Sequence, residues 1–162
     1  EFQFQFLKNN TRKFLNDVRS DYIDEIIRPM ILKKAEDLVN QHKEAGDSLL
    51  IITATNSFIT KPIGEIFGID ELIGTDPEEN LGEFTGKVKG TPSYKDGKVT
   101  RLFNWLYEKK LKLADFEKTF FYSDSHNDLA LLEVVTNPVV VNGDKILLEK
   151  AQEKNWPTLN LK

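Results

Sequence analysis

The chain has 162 residues, 40% hydrophobic and 30% charged, with a formal net charge of −4. That balance fits about one soluble domain and excludes a mainly disordered chain. The absence of cysteine excludes disulfide scaffolds, thiol nucleophiles and zinc–thiolate sites, and the expected location is cytoplasmic.

In chain order, the opening residues Glu1 to Phe6 alternate Phe with polar residues and are expected to be helical. Phe14, Leu15, Val18, Tyr22, Ile23, Ile26 and Ile27 recur at three and four residues and predict an amphipathic helix, with Asn10 or Thr11 as its cap. Pro29 interrupts that pattern. A second helix is expected with Ile31, Ala35, Leu38 and Val39 inward, ended by Gly46 in the left-handed conformation. Leu49 to Thr53 is a short apolar run of the kind buried in a parallel sheet. A helix around Phe58, Ile59, Ile63 and Ile66 follows and stops at Gly68; Leu72 to Thr75 is a weaker strand. Glu83 to Lys89 reads as an irregular β-hairpin. Leu102, Phe103, Leu106 and Tyr107 mark a helix, Thr119 to Ser123 a strand, and Leu129 to Leu132 the helix after it. Val139 to Val141 is a further strand, Ile146 to Ala151 a helix, and Thr158 to Leu161 a last strand. Strands alternating with helices predict an α/β fold with a parallel sheet covered on both faces. The one expected boundary lies near Pro29, with residues 1–28 helical and 29–162 forming the α/β part. No apolar run approaches the ~20 residues of a membrane helix, and no basic run marks a nucleic-acid surface.

In open parallel sheets, ligands bind beyond the carboxyl ends of the strands, so the polar residues there carry the argument. The richest end is Tyr122-Ser123-Asp124-Ser125-His126-Asn127-Asp128. Asp124 is a candidate direct ligand for a hard cation such as Mg²⁺, which takes carboxylate oxygens and keeps several waters. Asp128 is expected either to orient that ligand shell or to bond a lysine; helix capping is the competing role for these residues. Thr53-Ala54-Thr55-Asn56 is the second end. A hydroxyl beside the N–H groups of a helix start suits phosphate oxygens; Thr55 or Asn56 is the expected cap, and Thr53 sits too early to cap. Lys98 lies at a helix start, where the dipole offers a cation nothing and an anionic partner explains the position; Lys95 competes with it. His126 is a candidate general acid, its role hanging on side-chain direction. His42 is placed to interact with the carboxyl end of its helix.

Thr53 after Leu-Leu-Ile-Ile, Lys98 before Val-Thr-Arg-Leu, and Tyr-Ser-Asp-Ser-His-Asn-Asp-Leu-Ala-Leu-Leu-Glu from Tyr122 together resemble the haloacid dehalogenase superfamily phosphatases. The resemblance is to the phosphoserine phosphatase-like branch, which includes histidinol-phosphate phosphatases. It implies a Rossmann-like core over residues 29–162, with residues 1–28 the remnant of a helical cap. It implies a Mg²⁺-dependent hydrolase of small phosphorylated metabolites, working through an aspartyl-phosphate. By that resemblance Thr53, Lys98 and Asp128 are catalytic; Thr53, Ala54, Lys98 and Asn127 bind the phosphorylated substrate; Asp124 ligates the metal. Phe58 and Tyr94 are candidate contacts to the leaving group, and Phe58 also fits a core position.

The chain departs from the family at one motif. The family's Asp-x-Asp-x-Thr, which carries the nucleophile on a first strand, has no counterpart before Thr53. Asp21 and Asp24 fall in a helical pattern instead. The only methionine is Met30 and the first residue is Glu1, so the expectation is a fragment, inactive by itself, whose sheet is completed by a missing N-terminal segment or a second chain. The competing function is a non-catalytic, phosphatase-like binding module. A receiver-type signalling domain fits less well, because its acidic pair belongs at the first strand and here the acidic group follows Thr53 and Lys98.

Overall fold

Residues 2–162 are described by the computed structural model. Its elements form two compact units, the first ending at Pro92 and the second running from Ser93 to Lys162.

The first unit begins with α1 (Phe2–Lys8), the helix expected there; Glu1 lies outside the described residues. Thr11, rather than Asn10, caps α2 (Arg12–Tyr22), its hydroxyl accepting from the Phe14 N–H at 3.3 Å. The helix does not stop where Pro29 suggests. It widens into a π turn over Ile23–Ile27 and continues as α3 (Arg28–Met30), with the proline in its first turn. A proline removes one i→i−4 bond, and the wider turn ahead of it lets the helix pass. The break comes two residues later, at Ile31, which is extended; α4 (Lys33–Glu44) therefore excludes Ile31, contrary to the expected inward set. Ala35, Leu38 and Val39 lie on its half-buried side. Gly46, at φ +79°, ends it as expected.

Strand β1 (Leu50–Asn56) and helix α5 (Ser57–Ile66) lead to β2 (Glu71–Thr75), which pairs with β1 in parallel. The register is regular from Leu50↔Glu71 to Ile52↔Ile73 and breaks before Asn56↔Thr75, so Thr53 is the first residue past regular pairing rather than the last of the strand. The segment read as a hairpin over Glu83 to Lys89 is one strand of one. β4 (Glu83–Val88) pairs antiparallel with β3 (Pro77–Asn80) through the two-residue turn Leu81-Gly82, both residues at positive φ. Gly86, at φ +85°, sits where the register shifts, which gives this glycine-rich segment its irregular look in sequence. Phe4, Leu7, Leu15 and Phe84 form the core, with Phe58 and Val88 packed on it. Helix α2 with its continuation carries two apolar rows. Leu15 and Ile23 are buried, whereas Phe14, Val18, Tyr22, Ile26 and Met30, four apart, are 39–69% exposed.

The second unit holds α6 (Asp96–Glu108), β5 (Phe120–Ser123), the short α7 (Leu129–Leu132), β6 (Asn137–Val141), α8 (Lys145–Lys154) and β7 (Thr158–Leu159). β5, β6 and β7 pair in that order, all parallel, and β7 is shorter than expected. Leu132, Val140, Leu147 and Ala151 are buried together, with Phe121, Leu129 and Trp156 packed around them. The fold is thus α/β with parallel strands in both units. Among the described residues, β1 pairs only with β2 and β5 only with β6, and no helix is long and apolar enough to cross a membrane.

Leu147→Ala is expected to destabilise the second unit by ~2–5 kcal/mol through loss of packing and an unfilled cavity. Tyr107→Ser, at a position 84% exposed, is expected to change stability by under ~0.5 kcal/mol. Urea unfolding followed by tryptophan fluorescence checks both, since Trp105 and Trp156 both lie in this unit.

Candidate active site

The first unit places Thr53-Ala54-Thr55-Asn56 at the carboxyl end of β1. The Thr53 hydroxyl accepts from the Thr55 N–H at 3.2 Å, which folds the chain just before α5. The Ala54 carbonyl accepts from the Thr75 hydroxyl at 2.9 Å, tying this turn to β2. Of the two expected caps it is Asn56 that acts. Its Oδ1 accepts from the Ile59 N–H at 3.0 Å, its Nδ2 donates to Gln3 at 2.9 Å, and it is 1% exposed. With the cap supplied by Asn56, Thr53 and the exposed Ala54 and Thr55 form the irregularly paired last stretch of β1. Phe58 meets Phe84 edge to face at 5.2 Å and lies under the Arg19 guanidinium at 4.1 Å. With Leu7, Leu15 and Tyr22 it also lines an apolar cavity of about 310 Å³.

In the second unit Lys98, Leu102 and Leu106 are spaced by four on α6, and all three are buried. Lys98 thus lies on the apolar face of its helix, and that spacing is a sequence signal separating it from Lys95. Its Nζ is 2.5 Å from Asp128 Oδ1, the two side chains 8% and 9% exposed. Asp128 Oδ2 accepts from the Ser123 hydroxyl at 2.7 Å, so both carboxylate oxygens are occupied. Ser123 Oγ in turn accepts from the Ser125 N–H at 3.1 Å. Asp128 therefore bonds the lysine, one of its two expected roles. Neither Asn127 nor Asp128 caps the turn His126–Asp128: Ser125 does, its hydroxyl accepting from the Asn127 N–H at 3.3 Å. Asn127 is held from two sides, donating to Ser125 at 3.2 Å and accepting from the Tyr94 hydroxyl at 3.3 Å. Lys95 is exposed, its Nζ 5.4 Å from the Tyr94 ring centre.

Asp124 is the opposite of Asp128. It is exposed, and among the described residues no side chain or N–H occupies its carboxylate. Two carboxylates four residues apart thus have opposite environments, one consumed by structure and one exposed just past the end of β5. The described residues contain no cluster of three His, Cys, Asp or Glu side chains on one point. A divalent cation held here would have Asp124 as its protein ligand. Mg²⁺ accepts that donor set, being bound in phosphoryl-transfer sites by one or two carboxylates together with substrate phosphates and waters.

Two residues outside the candidate set join the loop. Ser123 is the hidden partner of Asp128. Asp144 caps α8, its Oδ1 accepting from the Leu147 N–H at 3.0 Å, while its Oδ2 accepts from the His126 N–H at 2.7 Å and lies 3.0 Å from His126 Nδ1. His126 therefore turns its Nδ1 to Asp144. The sequence sign of Asp144 was an aspartate three residues ahead of a buried leucine, a capping pattern. Partial burial opposes the charge on Asp144, but the His126 and Leu147 N–H groups and the His126 ring outweigh it and hold the carboxyl at about 2 rather than the ordinary 3.8. His42, at the end of α4, has Nδ1 2.6 Å from Asp47 Oδ2.

Lys98→Met leaves Asp128 charged and buried without its cation, and is expected to cost ~3–5 kcal/mol. The double variant Lys98→Met with Asp128→Leu is expected to cost less than the sum of the single changes, measured as a urea double-mutant cycle. A carboxyl lowered in the folded state stabilises above its unfolded value, and that contribution is lost as pH falls through the folded value. Wild type and Asp144→Asn are therefore expected to differ most above pH 3.8 and to converge as pH falls towards 2, read as thermal midpoints across an acid series.

Comparison with known proteins gives these observations a family. The model of the haloacid dehalogenase-like hydrolases matches residues 3–133. A histidinol-phosphatase of Neisseria meningitidis serogroup C is 44% identical, over 100% of this chain and 73% of its own length. A phosphoserine phosphatase of Mycobacterium tuberculosis is 29% identical over 93% of this chain and 48% of its own length. A crystal structure of a protein of unknown function from Bordetella pertussis superposes with a TM-score of 0.98 at 42% identity, covering 99% of this chain and 72% of that one. A substrate-bound phosphoserine phosphatase shares the fold, with a TM-score of 0.63 at 17% identity over 96% of this chain and 75% of that one. The matched stretch runs from α1 through the Asp124–Asp128 loop, and the chain belongs to the haloacid dehalogenase-like hydrolase family.

Proposed function

We propose that the protein carrying this chain is a Mg²⁺-dependent phosphatase of small phosphorylated metabolites, with histidinol phosphate and phosphoserine as the substrates to try first. The observation that carries the reading is an unoccupied Asp124 on the same loop as Asp128, which is fully bonded to Lys98 of α6 and to Ser123. Phosphoryl transfer depends on positioning and charge neutralisation more than on covalent work by the protein. In this reading Asp124 ligates Mg²⁺, which supplies Lewis-acid neutralisation of the phosphoryl oxygens. The Thr53 hydroxyl and the Ala54 backbone bind the transferring phosphoryl group. Lys98, fixed by Asp128, is the cation that offsets negative charge in phosphoryl transfer, and Asn127, fixed by Tyr94, binds the substrate. The histidinol-phosphatase relative supports the substrate class.

The nucleophile comes from outside these 162 residues, since no Asp-x-Asp precedes Thr53. In the reading proposed here it resides on a further strand, from an upstream segment or a second chain, added to a sheet in which β1 has only β2 as its partner among the described residues. Attack by that carboxylate on phosphorus breaks the ester P–O bond, releases the substrate's alcohol and gives an aspartyl-phosphate, which water then cleaves to inorganic phosphate, so hydrolysis is divided into two easier steps. Residues 1–28 belong to a helical cap and residues 29–162 to the core, and the enzyme works in the cytoplasm.

Phosphate release by the full-length protein is the test, from histidinol phosphate and from phosphoserine, with Mg²⁺ and with EDTA. The expected result is turnover of at least one, abolished by EDTA and reduced ~10²–10³-fold by Asp124→Asn, the scale of losing one charge-stabilising group. The isolated 162-residue chain is expected to release none, and Mg²⁺-dependent turnover by it would overturn the missing-nucleophile reading. Binding of these esters without hydrolysis by the full-length protein would favour a non-catalytic binding module.

A further inference from the structure

Asp144 does more than its helix requires. A helix cap needs one side-chain oxygen on one N–H, and Asp144 Oδ1 on Leu147 meets that need. Its other oxygen takes the His126 N–H at 2.7 Å and faces the His126 ring nitrogen at 3.0 Å. Its own N–H donates to the Asp124 carbonyl at 2.9 Å. One residue thus grips the loop at Asp124 and again two residues later. On the other side of Asp124, Ser123 is pinned by its hydroxyl to Asp128 at 2.7 Å. Asp124 is restrained on both sides, through its own carbonyl and through the side chain of Ser123, while its carboxylate carries no bond among the described residues. The anchor itself is firm: α8 has ten residues, with Leu147 0% and Ala151 1% exposed.

We infer that Asp144 is a positioning residue for Asp124, holding the loop so that the free carboxylate is presented in one place to a divalent cation. The inference rests on the reading of Asp124 as a metal ligand. Its physical basis is preorganisation: a ligand ordered before binding loses less freedom when it binds, and changing an outer partner of a metal ligand typically costs ~10–100-fold in affinity.

The test is Mn²⁺ binding to the full-length protein, read from the electron paramagnetic resonance signal of free Mn²⁺, with thermal midpoints measured in parallel. Asp144→Ser keeps a capping hydroxyl for Leu147 and loses the grip on His126. Asp144→Asn keeps the shape and the cap but turns an N–H donor toward the His126 N–H. Both are expected to weaken Mn²⁺ binding about tenfold, while Asp144→Ser keeps its thermal midpoint within a few degrees of wild type. Asp124→Asn is the control. If Asp124→Asn weakens binding and both Asp144 variants bind as wild type does, Asp144 is a helix cap only and the inference is overturned. If Asp124→Asn itself binds as wild type does, the assignment of Asp124 fails first and the inference goes with it. A loss in Asp144→Asn alone, with Asp144→Ser unaffected, also overturns it, because the donor clash rather than the missing grip would be the cause.

Discussion

The ion pair between Lys98 and Asp128 is the constraint around which the second unit is arranged. Taking both charges out of water costs several kcal/mol per ion, and the pair is tolerable only when the remaining donors and acceptors are satisfied. Here the second carboxylate oxygen takes the Ser123 hydroxyl, and Ser123 also receives the Ser125 N–H. The pair fixes the first turn of α6 against the turn that follows β5. The loop between Ser123 and Asp128 then has little freedom, and the positions of Asp124, His126 and Asn127 follow from it. A buried pair of this kind adds little net stability compared with apolar packing, but breaking it is expensive. Its value lies in specifying one arrangement of a polar strand end.

Much of this was legible in the sequence, because the signals were local. Apolar runs gave the strands, spacings of three and four gave the helices, and Thr11 and Gly46 marked helix ends by chemistry that acts over one turn. The polar strand end at Ser123 to Asp128 stood out because six polar residues follow three aromatic ones after Thr119. What the sequence withheld was long-range. Asp128 and Lys98 are 30 positions apart, and no local rule says that the second aspartate of the loop reaches the lysine while the first stays free. Lys98 and Lys95 were open alternatives until the register of Lys98 with Leu102 and Leu106 separated them. Asp144 was not singled out at all, because its second oxygen acts 18 positions away.

The misread elements have the same origin. Glu83 to Val88 needed Pro77 to Asn80 as its partner, and β3, with Pro77 and three polar residues, carries almost no strand signal of its own. Pro29 broke the helical pattern on paper, but an upstream π turn carried the helix to Met30. In each case a neighbouring segment overrode a residue's own preference.

The two apolar rows of α2 and its continuation carry a practical consequence. An ordinary surface helix buries one stripe and wets the rest. With Leu15 and Ile23 inside and Phe14, Val18, Tyr22, Ile26 and Met30 outside, the apolar face of this helix is wider than the stripe it buries, and Lys13, Asp17, Asp21 and Asp24 wet the opposite side. These residues prepared as a free-standing polypeptide form an adhesive surface whose self-association rises with concentration. Concentration series and light scattering therefore belong beside any spectroscopy on it, since a cluster and a single molecule give different answers to the same question.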